Sequence, residues 1–473
     1  MARRDLVRGQ RCELELSRLA PSGDAVGLHP SGLEVHVPDA LPGERARVRI
    51  EHVSRQAPRA GAVLEQLLAP SPDRRPAPCR HQGRCSGCPL MIANEPAQRG
   101  YKRELLRQSF GFEVAPLVHL PEAELGYRWS SKRVVGGKAG RIVLGSYHRG
   151  THRLADMNGC LVDAPAIAAC ADELAQVASE LGVTPHRGEP RPRQLRYAWL
   201  KTDGRGQVLL CLVTAAPDRE LGVELARRLT RPSGVWLAVQ ASDGNALRGQ
   251  APELVAGRAE LEIELDGSPR ELARDGSERA LGLGAGRLAV GPVGFLQPNP
   301  RATALAYHDL LASPDGRPLG GDIALDLYAG AGATTRLLRR RFAQVLCCDA
   351  DPESAAQLGV APEPAEHFLE RLVRRQGLDG ALSAFAGAEP RAIELAVADP
   401  PRAGLGPPVC GWLGRLRPRQ LHLMSCNPAA LARDLGALCQ PTGGFELRAL
   451  RAYDTLPQTP HVELVAWLEA RAC

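Results

Sequence analysis

Where a short apolar run, "LHLM", gives way to an amphipathic stretch, the chain places Cys426 between Ser425 and Asn427-Pro428. A cysteine there can be a small buried hydrophobe, a metal ligand or a nucleophile. A second group, Cys79, Cys85 and Cys88 in "CRHQGRCSGCPL", has the spacing C-x5-C-x2-C. Its C-x2-C pair puts two thiolates on one tight turn, and Gly83 and Gly87 let the backbone wrap closely round an ion or a cluster. Three ligands leave a tetrahedral site open, and Cys160 in "DMNGCLVD" is the candidate for the fourth. Spacing alone leaves zinc and an iron–sulfur cluster both open. Cys211, Cys347 and Cys348 lie inside apolar runs and read as core thiols.

A third constellation has the chemistry of nucleoside binding. "ALDLYAGAGATT" sets Gly330 and Gly332 directly after an apolar strand and before a helix, where glycines permit a tight turn and close approach of backbone to a ligand. Further on, after "QVLC", stands Asp349, whose carboxylate can accept from both hydroxyls of a ribose. A dinucleotide would want a third glycine for its pyrophosphate. Ala333-Thr334-Thr335 supplies none, so S-adenosylmethionine fits better. At the end of the next apolar strand, "VADPPRAGL" projects Asp399 into the crevice where open α/β sheets bind ligands, on backbone stiffened by Pro400 and Pro401.

These groups need a scaffold, and 473 residues with 44% hydrophobic content predict several globular domains. Residues 1–66 alternate short β-like runs with turns such as Pro21-Ser22-Gly23-Asp24, which predicts a small antiparallel barrel. "SGDAVGLHPSGLEVHVPDALPGERARVRI" resembles a TRAM domain, an OB-like RNA-binding module. Residues 67–288 hold the cysteine group, a helix over "EPAQRGYKRELLRQSFGF" and a mixed α/β region. Residues 289–473 alternate apolar strands with helices, the pattern of a doubly wound, mostly parallel sheet. The formal charge is only +6, yet Arg128 to Arg153 carries seven Lys/Arg and no acid, with Trp129 and Tyr147 interleaved. A basic β-ribbon of that kind reads as a nucleic-acid footprint. No apolar run approaches the roughly 18 residues that cross a membrane, and "MARRDLVRGQRCELELS" has charges where a signal peptide would need an apolar core, so none is expected. The expectation is a cytoplasmic monomer whose 13 cysteines are thiols or metal ligands rather than a disulfide framework.

Taken in order, "CRHQGRCSGC", "FLQPN", "DLYAGAGATT", "DPPRAGL", "SCNPAALARDL" and "LPQTPHVELVA" resemble the TRAM-containing, iron–sulfur RNA uracil-C5 methyltransferases over nearly the whole chain. The resemblance implies a multidomain protein: an OB-like TRAM barrel, a mixed α/β central domain with a [4Fe–4S] cluster on Cys79, Cys85, Cys88 and Cys160, and a Rossmann-like methyltransferase domain. It implies Cys426 as nucleophile, Glu463 as base, and Gln297, Tyr328, Asp349 and Asp399 as contacts to S-adenosyl-L-methionine or the target uracil. The RNA would be ribosomal first, transfer RNA second. This chain departs from the family at Ala333, at Ala388 and in "FLQPNP".

The implied chemistry explains why such groups are needed. Uracil C5 is too weak a nucleophile to take a methyl group from a sulfonium unaided. A thiolate added at C6 makes C5 enolate-like, and after methyl transfer a base must remove the C5 proton before the thiolate leaves. The start of the helix after Cys426 predicts a dipole-stabilised thiolate. The target base inside folded RNA would be flipped out. A rival class is a non-catalytic RNA-binding iron–sulfur protein with a degenerate methyltransferase domain, to which Ala333 and Ala388 point.

Overall fold

The computed structural model describes residues 6–114, 117–120, 124–148, 151, 153–241, 251–264, 270–272, 278–280, 287–379 and 392–471. At the amino terminus, strands Arg11–Leu19, Ala25–Leu28, Glu34–Val37, Arg59–Ala69 and Arg45–Val53 close a barrel in that spatial order. Strict alternation builds it: in Arg45–Val53, Ala46, Val48 and Ile50 point inward with no exposure while Arg45, Arg47 and Arg49 face outward. The barrel is not wholly antiparallel as the alternating runs predicted, because Glu34–Val37 pairs parallel with Arg59–Ala69.

The middle of the chain forms an eight-stranded sheet. Helices Pro165–Glu180 and Arg219–Arg228 pack on one face through Ile167, Leu174, Leu221 and Leu225 against Leu195, Leu200, Leu210 and Leu212.

The carboxyl-terminal sheet has the order Phe342–Cys348, Gly321–Leu327, Ile393–Ala398, Gln420–Ser425, Glu463–Ala470, Phe445–Tyr453. The first four strands run parallel, and Glu463–Ala470 runs antiparallel to both of its neighbours. Apolar clusters cover both faces, so the inner strands read as continuous hydrophobic runs. The region 352–366 is helix broken by loop, with helix Pro352–Leu358 ending at Gly359 before helix Ala365–Asp379 begins.

Helix Glu95–Phe110 ties the amino-terminal half to this sheet. Asn94 caps it by accepting from Ala97 N, and Gly111 ends it in the left-handed region at φ 76°. Its face buries Lys102, whose ammonium pairs with Asp454 and donates to Leu456 O at 3.0 Å. Lys102→Ala would leave Asp454 buried without a counter-charge, and breaking such a pair typically costs about 3–5 kcal/mol. Urea denaturation of the variant beside wild type should show a loss of that order; a loss below about 1 kcal/mol would give the pair the weight of a surface ion pair.

Candidate active site

The strand Gly321–Leu327 delivers the glycine loop. Tyr328 turns out of it with φ 60°, Gly330 and Gly332 follow at 53° and 83°, and helix Ala333–Leu338 begins. Around Gly330 nothing lies within 4 Å of where a β-carbon would stand, which leaves open space beside the backbone, whereas at Gly332 a β-carbon would meet Leu358 Cδ2 at 2.8 Å. Asp349, just past strand Phe342–Cys348, accepts from Gly330 N at 2.8 Å through Oδ2 and from Asp351 N at 2.8 Å through Oδ1. Each carboxylate oxygen keeps a further lone pair for a ligand hydroxyl. Beneath the loop, buried Asp326 accepts from Thr334 Oγ1 at 2.8 Å and from Thr335 Oγ1. Burial pushes Asp326 up to about 6 against the pull of the two threonines. Asp326 opens the motif "DLYAGAGATT", yet no role had been given to it. Its signal is an acid within an otherwise apolar strand.

Asp399, Cys426 and Glu463 gather next to this loop. Asp399 and Cys426 each stand one residue beyond a parallel strand, Ile393–Ala398 and Gln420–Ser425, while Glu463 opens the antiparallel strand beside them. Burial, with help from Asp326, pushes Asp399 up to about 7. Burial and then the Asp399 charge raise Glu463 well above the ordinary glutamate range, with Arg402 pulling the other way. Cys426 is raised by burial first and then by Glu463, while Arg402 lowers it. Gln297 joins the group through a hydrogen bond with Tyr307, whose hydroxyl is raised by burial and by Asp399.

The expected helix-dipole depression of Cys426 is therefore reversed. Asn427 Oδ1 already accepts from Ala429 N at 3.2 Å and Ala430 N at 3.4 Å, so the helix start is spent on its own cap while burial and a neighbouring carboxyl act on the sulfur. The cation that does favour the thiolate is Arg402, overlooked in "DPPRAGL" although it follows the motif's acid and two prolines. Its loop is fastened to the helix after Cys426: Asn427 Nδ2 donates to Arg402 O at 2.9 Å, Arg433 Nη2 to Ala403 O at 2.6 Å, and Asp434 Oδ2 accepts from Leu405 N at 2.8 Å. Burial raises the Tyr328 hydroxyl, and Cys348, Glu366, Asp434 and Cys410 add to it. Ala333 opens its helix and is partly buried, and Ala388 lies outside the described residues.

Cys79, Cys85, Cys88 and Cys160 line one pocket with Met91, Met157 and Val162. His81 N donates to Cys79 Sγ at 3.4 Å. The loop bearing Cys160 is held rigidly, with Asp172 accepting from Gly159 N at 3.2 Å, Arg80 donating to Asn158 O at 2.9 Å, and Arg133 donating to Met157 O at 2.9 Å. Burial pushes Cys88 up to about 12. Among the described residues, no group of three or more His, Cys, Asp or Glu side chains is drawn together tightly enough for a metal ion. Cys211, Cys347 and Cys348 are buried in strands, as expected of core thiols.

The basic ribbon is correct as strand pairing but not as a uniform charged face. Ser130–Lys138 and Arg141–Tyr147 form a hairpin with Lys132, Lys138 and Arg141 exposed. Arg133, however, is buried in an ion pair with Asp163, and Arg128 lies 3.9 Å from the same carboxyl. Those two charges serve the interior and are not available to phosphates.

Residues 6–63 match the TRAM domain family. The chain is 30% identical over 483 residues to an uncharacterized RNA methyltransferase of Thermosynechococcus vestitus, covering 98% of each. It is 29% identical over 466 residues to a 23S rRNA uracil-C5-methyltransferase of Chromohalobacter salexigens, covering 95% of this chain and 87% of that one. Among solved structures it resembles the Pyrococcus abyssi tRNA (uracil-54, C5)-methyltransferase in complex with S-adenosyl-L-homocysteine, with a TM-score of 0.67, 22% identity, and coverage of 97% and 100%.

Because Cys426 is raised above the ordinary cysteine value of 9.0, its alkylation by iodoacetamide should climb with pH through a midpoint above that value. Arg402→Met removes the lowering cation and should move the midpoint up. Glu463→Gln removes a raising charge and should move it down. Peptide-resolved alkylation across pH measures both, and shifts of opposite sign to these would contradict the electrostatics of the crevice.

Proposed function

The chain belongs to the RNA methyltransferase family that these relatives represent, and we propose that its substrate atom is C5 of a uracil in RNA, ribosomal RNA first. The observation that carries the reading is the convergence of Cys426, Glu463 and Asp399 at strand ends beside an open glycine loop, with Gln297 reaching the group from the segment before helix Pro300–Leu310. A buried acid with a raised pKa is suited to accept a proton near neutral pH.

S-adenosylmethionine is the second substrate and supplies the methyl group from its sulfonium. The open backbone at Gly330 and the lone pairs left on Asp349 are where its nucleoside would rest, with Tyr328 at the loop's entrance. Cys426 Sγ gives up its proton to solvent and adds to uracil C6 as the thiolate that Arg402 favours. The C5–C6 π electrons move to give an enolate, and C5 takes the methyl group as the sulfonium leaves as the neutral thioether S-adenosylhomocysteine. Asp399 and Gln297 hydrogen-bond the ring's polar edge. Once C5 carries the methyl group, Glu463 takes the C5 proton, the C–H electrons re-form the C5–C6 bond and the thiolate departs from C6. Retention of Cys426, Asp399 and Glu463 argues for catalysis over a binding protein with a degenerate domain.

The domain division 1–66, 67–288 and 289–473 suits this reading: a barrel and hairpin to grip RNA, a cysteine segment, and a methyltransferase unit. We assign the four cysteines to a [4Fe–4S] cluster. The fit rests on four sulfurs round one apolar pocket with the Arg128 guanidinium beside Cys88 and Cys160, a cation suited to an anionic thiolate set. Their chemistry is ligation; the nucleophile belongs to another pocket. Anaerobically purified protein should be brown, with iron and sulfide, and stoichiometric zinc without iron would overturn the assignment.

The order of steps makes two variants fail differently. Cys426→Ala should form no covalent RNA complex. Glu463→Gln should add to C6, transfer the methyl group and stall, since loss of a general base typically costs about 10²–10⁴-fold in rate. On a denaturing gel with methyl-labelled S-adenosylmethionine, a slow labelled band for Glu463→Gln, abolished by adding Cys426→Ala, is the expected result. Wild-type turnover by folded Glu463→Gln would move the base elsewhere, with Asp399 the first candidate.

A further inference from the structure

The hairpin that ends in Glu463 is gripped at its tip by the cysteine-bearing segment. Strands Phe445–Tyr453 and Glu463–Ala470 pair with Tyr453 opposite Glu463, so residues 454–462 form the connecting loop. Most of that loop is buried, with His461 exposed. Gln458 has no exposure and a left-handed φ of 69°, a conformation an L-residue keeps only when its surroundings enforce it. The enforcement is visible: Gln458 N donates to Gln98 Oε1 at 3.0 Å, Gln98 Nε2 donates to Gln458 Oε1 at 2.9 Å, Gln458 Nε2 donates to Glu124 Oε2 at 2.7 Å, and Leu90 N donates to Gln458 O at 2.9 Å. Tyr127 OH donates to Pro457 O at 2.8 Å. Leu456 packs against Met91, Tyr127 and Val162 together with Cys79, Cys88 and Cys160. The wall of the cysteine pocket and the tip of the Glu463 hairpin are therefore one packed unit.

We propose that Gln98 and Tyr127 are positioning residues for proton removal from C5, acting through the 454–462 loop on Glu463, and that this is how the cysteine segment serves catalysis. Cys426 and Asp399 hang from the parallel strands, which this loop does not carry. Loosening the tip should displace the base and leave the nucleophile and the methyl-transfer geometry in place. The inference rests on the uracil-C5 reading above.

The test uses full-length wild type, Tyr127→Phe and Gln98→Met with a 23S rRNA transcript, prepared once with uridine and once with 5-fluorouridine. With fluorine at C5 there is no proton to remove, so thiolate addition and methyl transfer run to a stable adduct whatever the state of Glu463. The variants should trap fluorinated RNA at the wild-type rate. With uridine RNA they should release product at least about tenfold more slowly and accumulate methyl-labelled adduct, a fraction of the about 10²–10⁴-fold typical of losing a general base. Release at the wild-type rate would overturn the inference, and so would an equal slowing with both RNAs, which would mean general damage to the site. If Gln98→Met does not fold, Tyr127→Phe, which removes one hydroxyl, decides alone. Failure of wild type itself to trap fluorinated RNA would instead remove the uracil-C5 reading beneath.

Discussion

Ser425 pairs with Leu464 across the antiparallel strands Gln420–Ser425 and Glu463–Ala470, and that register sets where Cys426 and Glu463 leave the sheet. The register is held from both faces. Leu421, Leu423, Leu464, Ala466 and Leu468 enter one core, while Met424, Val465 and Trp467 enter the other. A slip of one residue would exchange the two sets and turn Glu463 to the far side of the sheet. Trp467 adds a directional lock, donating through Nε1 to Ala312 O at 2.8 Å from within the core. The packing that stabilises the domain thus also sets the side of the sheet from which the sulfur and the carboxyl of the proposed reaction emerge.

Burial at that spot governs the protons. Asp326, Asp399 and Glu463 are all raised by desolvation, the first two to about 6 and about 7. Close carboxyls in a buried crevice disfavour one another's charge, so each binds a proton more readily than it would in water. Such a set is suited to a reaction that removes a proton from carbon and must later release it. Arg402 supplies the opposing field on both Cys426 and Glu463. Fastened by Asn427 and Arg433 to the helix after the nucleophile, its backbone cannot drift from the sulfur without breaking those bonds.

Much of this was legible in the sequence because strand ends are. Apolar runs ended by Asp399, Cys426 and the glycine loop located three corners of the crevice, and alternation marked most of the barrel. What stayed hidden depended on which way a side chain faces once strands pair. Arg128 and Arg133 read as surface cations in an acid-free run, yet Asp163, distant in sequence, draws them toward the interior. Strand Ala25–Leu28 is too short to announce itself, and the parallel pairing of Glu34–Val37 with Arg59–Ala69 is a long-range choice that local turns do not encode. The raised Cys426 thiol was beyond a reading from helix position, because the cap on Asn427 and the carboxyl of Glu463 enter only with tertiary structure.

Gln98 and Gln458 are 360 residues apart in sequence, so their reciprocal amide pair is among the contacts whose loop closure costs most entropy. Before they meet, the 454–462 loop would expose a backbone in a left-handed conformation with nothing to enforce it. Lys102 and Asp454 face the same constraint, since neither charge is tolerable in a core without the other. The carboxyl-terminal sheet can set its own register through its apolar faces, but the hairpin tip reaches its native form only when the helix Glu95–Phe110 and the cysteine segment dock on it. The cysteine pocket and the loop leading to Glu463 therefore share one packed wall, so damage to the pocket should appear in the position of the base even though the two sites share no residue that does chemistry.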